Sequence, residues 1–191
     1  MSVVELPIQT ERLVLRSWKE ADLEPFAAMN RDSRVMEFLP RRLTRAESDQ
    51  LAGRICAAMR ESGFGLWAVE TRRSGEFIGY VGLLAANFEA HFTPCVEVGW
   101  RLAHRFWGCG YATEAARKAL SIGFTAFGLD AIVSFTVPRN VRSRKVMERL
   151  GMTHDPADDF NHPKLESGHP LERHVLYRLS KDDWMRFNAP R

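Results

Sequence analysis

The sequence predicts a mixed α/β (α+β) domain. Segments rich in β-branched residues alternate with segments whose apolar residues recur at helical spacing. Glycines stand where the helical segments stop. No Pro-, Gly- or Ser-rich stretch divides the chain, so residues 1–191 read as one domain, and a 45% hydrophobic share gives it a core to bury.

Arg12 to Ser17 alternates polar and apolar residues and reads as the first strand. Residues ~20–31 and ~44–62 carry helical spacing, as in Leu51, Ile55 and Met59. Gly63 and Gly65 close the second helix. Leu66 to Glu70 and Phe77 to Leu84 are strands joined by a turn at Ser74-Gly75. Pro94 opens a strand over Cys95 to Leu102. A glycine loop then leads into a helix, Tyr111 to Phe127, with Gly128 past its end. Ala131 to Val137 is a buried strand by its β-branched content. Asn140 to Leu150 is a short helix, followed by a short strand near Met152. Asp155 to Pro170 reads as a long surface loop, and Arg173 to Leu179 as the last strand.

Composition excludes several classes. With 27 Lys and Arg against 24 Asp and Glu, the net charge of +3 is too small to argue for nucleic acid. The longest uncharged stretches fall short of the ~20 apolar residues of a membrane span. The N-terminus has no apolar signal region. Three cysteines without C-x-x-C spacing argue against a disulfide framework and against a metal site, and suit a reduced, cytoplasmic protein.

The most informative segment runs from Glu97 to Leu120, where a strand enters a glycine loop that opens a helix. Gly108 and Gly110 permit positive φ and close backbone approach. The first amides of the next helix lack intrahelical partners and can receive a phosphate. A Walker A loop is absent. The dinucleotide fingerprint fails too, because Thr113 stands at its third small position and Asp130 precedes its strand. In the second segment, Pro138 to Met152, Asn140 suits an N-cap. Ser143, Met147 and Leu150 share one helical face. Five basic residues there, Arg139, Arg142, Arg144, Lys145 and Arg149, face one acid, Glu148.

R-x-x-G-x-G opening a helix, then a strand, then N-x-x-S…L-G-M, together resemble the GNAT superfamily of acyl-CoA N-acyltransferases. E-V-G-W-R-L, G-Y-A-T-E-A, T-E-R-L-V-L-R and the tail H-P-L-E-R-H-V-L-Y-R-L resemble its RimJ/RimL-like branch. The resemblance spans ~Thr10 to Trp184. It implies a GNAT fold, with a central mixed, mostly antiparallel sheet, a splayed pair of strands and flanking helices.

It also implies acetyl-CoA as cosubstrate, no metal, and a small-molecule or peptide amine as acceptor, handled by a monomer or homodimer. The backbone of Trp100, Arg101 and Leu102 would pair with pantetheine. Amides from Arg105, Phe106, Trp107, Gly108, Cys109 and Gly110, with Ala112 and Thr113 next, would hold the pyrophosphate. Asn140 and Ser143 would approach the pantetheine arm, and Arg144 or Lys145 the adenosine phosphates. Trp107 and Tyr111 serve equally well as packing residues.

The reaction is direct attack of an amine on a thioester, which needs a base for the amine, a donor for the developing oxyanion and an acid for the thiolate. Glu97 is the candidate base. It lies opposite Val96, Val98, Trp100 and Leu102 on its strand. Its competing role is a structural pair with an arginine such as Arg101. Many relatives carry the glutamate about three residues earlier, where this chain has Pro94. Asp159 and His162 stand in reserve. The tyrosine that many relatives use as acid is replaced by Met147, and Ser143 carries the hydroxyl instead. Cys109 has no histidine at triad spacing and reads as incidental. Phe38, Leu39, Pro40, Trp67, Phe88 and Phe160 either line the acceptor pocket or belong to the core. A non-catalytic acyl-CoA sensor would need the loop but neither Glu97 nor Ser143.

Overall fold

The computed structural model describes residues 4–188. Among them, nine strands form one sheet. In chain order the strands and helices are β1 (Ile8–Gln9), β2 (Leu13–Arg16), α1 (Leu23–Arg31), α2 (Arg45–Ser62), β3 (Leu66–Thr71), β4 (Phe77–Ala85), β5 (Val96–Leu102), α3 (Tyr111–Thr125), β6 (Ala131–Thr136), α4 (Val141–Arg149), β7 (Thr153–His154), β8 (Phe160–Asn161), β9 (Arg173–Ser180) and α5 (Lys181–Phe187). The sheet runs β1-β2-β3-β4-β5-β6-β9-β7, with β8 also on β9.

Every neighbouring pair is antiparallel except β5 and β6. Those two run parallel and share a single register pair, Glu97 with Val133. The mostly antiparallel sheet with one splayed pair is thus the architecture the resemblance implies.

The sheet has a helix layer on each face. α3 lies on one face through Ala115, Ala116, Ala119 and Leu120, which are fully buried with Val81, Val98 and Ile132. Small residues let this helix sit close. A Cβ on Gly123 would come within 2.6 Å of the Ile132 side chain. α1 and α2 cover the other face through Phe26, Met29, Ala52 and Ile55, packed on Ala68, Phe77 and Tyr80. Thr44 caps α2 in a reciprocal box with Glu47, and Gly63 ends it at φ +73°. Arg16, 7% exposed, pairs with Asp22 at 2.7 Å and with Glu70. That network ties β2 to β3 and to the turn entering α1. It carries several buried charges, and removing one partner would strand the others.

Some expectations are corrected. The loop from Asp155 to Pro170 contains a 3-10 turn and β8, whose Phe160 is buried among Phe88, Phe92 and Phe135. α5 and β1 were not expected. α5 follows directly on β9, capped by Ser180, and buries Trp184 near Phe124. β1 is only two residues long, too short for alternation to register.

Candidate active site

The splay between β5 and β6 opens a cavity of about 530 Å³. Past the Glu97–Val133 pair, the facing edges of both strands lack a ladder partner. β4 stays paired to β5 along its whole length, from Gly79–Leu102 to Ala85–Val96, so the gap is confined to one side. Gly79 makes that close pairing possible: its φ is +141°, and a Cβ there would meet the Arg101 carbonyl at 2.1 Å.

At the far end of β5 the chain makes a 3-10 turn, His104–Phe106, and reaches two glycines of positive φ, Gly108 (+76°) and Gly110 (+80°). Gly110 is the N-cap of α3 and supplies no side-chain cap. The amides of Tyr111, Ala112 and Thr113 are therefore left without intrahelical acceptors. The Trp107 indole donates to the Leu102 carbonyl at 2.8 Å and fixes the entry to the loop.

The loop is braced from outside by residues whose purpose the sequence did not disclose. Thr10 Oγ1, the Arg12 amide and Arg12 Nε donate to the Glu114 carboxylate at 2.6, 2.8 and 2.7 Å. Arg12 Nη1 then donates to the Cys109 carbonyl at 2.9 Å. Burial raises the Glu114 pKa, but the bonds from Thr10 and Arg12 outweigh it and hold the carboxyl below its ordinary value. Two motif fragments far apart in sequence, T-E-R-L and G-Y-A-T-E-A, thus form one clamp on the loop.

Across the cavity stands α4. Asn140 caps it, accepting from the Ser143 amide at 3.3 Å, and its Nδ2 donates to Thr136 Oγ1 (2.9 Å) and Ser143 Oγ (3.1 Å). Ser143 Oγ is an acceptor in that network, so its own proton is free to turn toward the cavity that the residue lines. Met147 and Leu150, on the same stripe, are buried. Lys145 and Arg149 line the cavity and make no ion pair among the described residues. Arg144 does not join them: it donates to the Tyr177 hydroxyl and the Pro138 carbonyl.

Glu97 lies where β5 and β6 part. Its carboxylate has no hydrogen-bond or ion-pair partner among the described residues, and burial pushes its pKa up to about 8. The alternative of a pair with Arg101 is overturned, because Arg101 donates instead to Asn30 Oδ1 at 2.7 Å. The reserve bases fall away as well. Asp159 is bonded to His154 at 2.7 Å, and neither it nor His162 lines the cavity. His162 packs against Phe88 and His174, where burial and the neighbouring cations push its pKa down.

The structure brings Glu97, Trp100, Arg101, Leu102, Phe106, Trp107, Gly108, Gly110, Ala112, Asn140, Ser143 and Lys145 around this one cavity. Arg105, Cys109 and Thr113 do not line it. Arg105 pairs with Glu76, and the Cys109 thiol turns to the Trp107 carbonyl, so these positions can offer only backbone. Apolar lining comes from Leu84, the cross-strand partner of Glu97, from Phe135 on β6, and from the segment between α1 and α2, where Val35, Phe38 and Leu39 line the cavity and Phe38 lies against Arg142. Trp67 and Phe160 belong to the interior instead, and the half-buried Phe88 packs against Phe160 and Phe92. Tyr80, which the sequence did not single out, also lines the cavity.

Residues 12–153 match the Acetyltransferase (GNAT) domain family. The chain belongs to that family. It is 32% identical over 136 residues to the FsC-acetyl coenzyme A-N(2)-transacetylase of Aspergillus fumigatus, covering 67% of this chain and 55% of that one. It is 38% identical over 94 residues to the uncharacterized protein YkkB of Bacillus subtilis, covering 48% of this chain and 54% of that one. The chain therefore spans about half the length of these two relatives. An acetyltransferase from Agrobacterium tumefaciens superposes with a TM-score of 0.72 at 26% identity, over 94% of this chain and 96% of the other. The Mycobacterium smegmatis RimJ in complex with CoA-disulfide shares the fold, with a TM-score of 0.71 at 20% identity over 90% and 83%.

Proposed function

We propose that the chain works as one domain that transfers an acetyl group from acetyl-CoA to a primary amine, and that it belongs to the RimJ/RimL-like branch. The observation that carries this reading is the continuity of the cavity. It leads from an uncapped helix start with two positive-φ glycines, along unpaired strand edges, to a desolvated carboxylate without a partner. An acyl-CoA fits these features. The amides of Gly108 to Thr113 suit the pyrophosphate. The open edge of β5 at Trp100 to Leu102 suits an extended arm bearing amides. Lys145 and Arg149 suit the outer phosphates.

Acetyl-CoA supplies a thioester carbonyl that an amine can attack directly. The chain supplies the rest. Glu97, with its pKa near 8, accepts the proton of the incoming ammonium, directly or through a water. An unpaired backbone N–H on β5 faces the developing oxyanion. The Ser143 hydroxyl donates its proton to the departing thiolate, and Asn140 Nδ2 holds the Ser143 oxygen in place. A sensor module would need the glycine cradle alone. A half-buried glutamate without a partner, its pKa raised, favours catalysis.

The test is a thiol-release assay with acetyl-CoA and a panel of amines and peptides, beside thermal melts with acetyl-CoA. A rise in Tm and thiol release that depends on the amine are expected. A Tm rise without release under any amine would leave the sensor reading in place.

A further inference from the structure

The charges that line the cavity are unequal. Glu97 is the only carboxylate among the described residues that line it, against Arg34, Arg101, Arg142, Lys145 and Arg149. Two of these cations are paired with carboxylates, and two others lie on α4. Arg34 forms a bidentate pair with Asp32, and Arg142 pairs with Glu37 at 2.7 Å. Lys145, on α4, lines the same cavity as Gly108 and Gly110 and suits the phosphates. Arg149 lies one turn further along the same helix.

Arg101 is different. It stands on β5 on the same face as Glu97, four residues further along. It has no carboxylate partner among the described residues. One of its nitrogens is held by Asn30 Oδ1, and the guanidinium lies 5.4 Å from the centre of the Tyr80 ring. Asn30 is itself fully buried, and its orientation is locked because its Nδ2 donates to the buried Ser48 Oγ at 2.8 Å. A relay from α2 through α1 to β5 therefore holds a guanidinium at the cavity wall beside Tyr80, with neutral partners that engage only part of its five-donor fork. Burying Asn30 and Ser48 to hold a cation without a counter-charge gains the fold little, since a neutral hydrogen bond does not compensate a partly desolvated charge as a carboxylate does.

We infer that Arg101, positioned by Asn30 and Ser48, receives a carboxylate on the acceptor, so that the acceptor is an amino acid or a closely related amine acid with an apolar body. The inference rests on the acetyltransferase reading above and names the acceptor of that same cavity. The amine sits at Glu97 and the acid group at Arg101. The apolar part lies against Val35, Phe38, Leu39, Leu84 and Phe135. A polyamine is disfavoured, because its second ammonium would meet Arg101 with only Glu97 to offset it.

The experiment uses the full chain, acetyl-CoA and two probes of different length, L-phenylalanine and 6-aminohexanoate, each beside its amide. The amide of phenylalanine has the more easily deprotonated amine, so that comparison is biased against the inference. At least one free acid should surpass its amide in kcat/KM by about tenfold or more, chiefly through KM, as a charge-assisted contact requires. Arg101→Gln should reduce that acid-to-amide ratio to about one while acetyl-CoA still raises its Tm. Arg101→Lys should keep part of the preference. Asn30→Asp keeps the shape, reverses the Ser48 bond so that the hydroxyl donates to the carboxylate, and neutralises Arg101 from behind. It should lower the ratio too, which provides a second reading if Arg101→Gln fails to fold. A wild type that binds acetyl-CoA yet treats acids and amides alike, or acetylates neither probe, overturns the carboxylate clamp. So does an unchanged ratio in folded Arg101→Gln or Asn30→Asp. A wild type whose Tm does not respond to acetyl-CoA overturns the acetyltransferase reading beneath it, which is a separate result.

Discussion

The two ends of the cavity are built on different principles. The end at Gly108 to Thr113 offers mainly backbone: amides at an uncapped helix start, two glycines of positive φ, and strand edges without partners. The end at Glu97 offers side chains brought from distant segments: Tyr80 and Leu84 on β4, Glu97 and Arg101 on β5, Phe135 on β6, with Asn30 of α1 behind them. A backbone site constrains only conformation, so it leaves glycines at fixed spacing and little else. A side-chain site is assembled by the fold, and nothing in local sequence marks its members.

The largest effect expected on this contrast is at the side-chain end. Glu97→Gln should lower kcat roughly ten- to a thousand-fold, on the scale of losing a general base, with acetyl-CoA affinity retained. The deficit should shrink as the pH rises toward the pKa of the amine. The carboxyl also gives a stability signature. Its pKa is about 8 in the fold against an ordinary 4.5, so the folded chain holds a proton that the unfolded chain releases in that window. Wild type therefore loses stability as pH climbs from 4.5 to 8, and Glu97→Gln does not. The Tm of the variant relative to wild type should rise between pH 5 and pH 9. A constant difference would place the carboxyl in water.

At the backbone end, Gly110→Val should weaken acetyl-CoA binding by about ten- to a hundredfold, given the strain of a β-branched residue at φ +80°. The new Cβ would also sit 3.3 Å from Arg12 Nη2 and disturb the clamp. A folded variant with an undiminished Tm rise would remove the loop from the binding site.

Between the two ends lies Ser143. Ser143→Ala should remain folded, losing ~1 kcal/mol or less, because Asn140 rather than Ser143 is the cap of α4. Turnover should still fall by about tenfold or more, and less with a synthetic thioester whose thiol has a low pKa. Equal deficits with both thioesters would leave Ser143 a binding residue.

A smaller effect tests whether the backbone end depends on side chains behind it. Glu114→Gln, which breaks the charge of the Thr10–Arg12–Glu114 clamp, should raise the KM for acetyl-CoA by several-fold with little change in kcat. Smallest of all, Glu37→Gln removes an ion pair whose side chains are half exposed, and should shift stability by less than ~1 kcal/mol.

The same contrast explains what the sequence disclosed. β2 to β6, α1 to α4 and β9 were legible because burial on one face imposes period two or 3.6, and because Gly63, Gly128 and Gly151 stand where helices must stop. The glycine loop was legible because conformation leaves its trace in residue type. β1 and β8 were not, since two residues hold no period. Nor were the Arg12–Glu114 clamp and the Ser48–Asn30–Arg101 relay, whose partners lie 102 and 71 or fewer positions apart and meet only through the fold. Pro94 and Met147 stand where the resemblance places a base and an acid, which turned the sequence reading to Glu97 and Ser143. Only the cavity showed that Glu97 and Ser143 both face it.

The parting of β5 from β6 has a consequence for how this chain avoids its own kind. Unpaired strand edges ordinarily invite another strand, and most sheets keep theirs at the rim, blunted by charge or proline. Here two such edges face each other in mid-sheet, with α3 on one side and α1 and α2 on the other. A neighbour's strand would have to displace a helix to reach them, whereas a slender chain with an amide at intervals can enter from the open end. The protein thus keeps the adhesiveness of a sheet edge while restricting it to thin guests. Those amides of Gly99 to Leu102 that point away from β4 should accordingly exchange with solvent faster than the amides of β4, and slow down when such a guest is present.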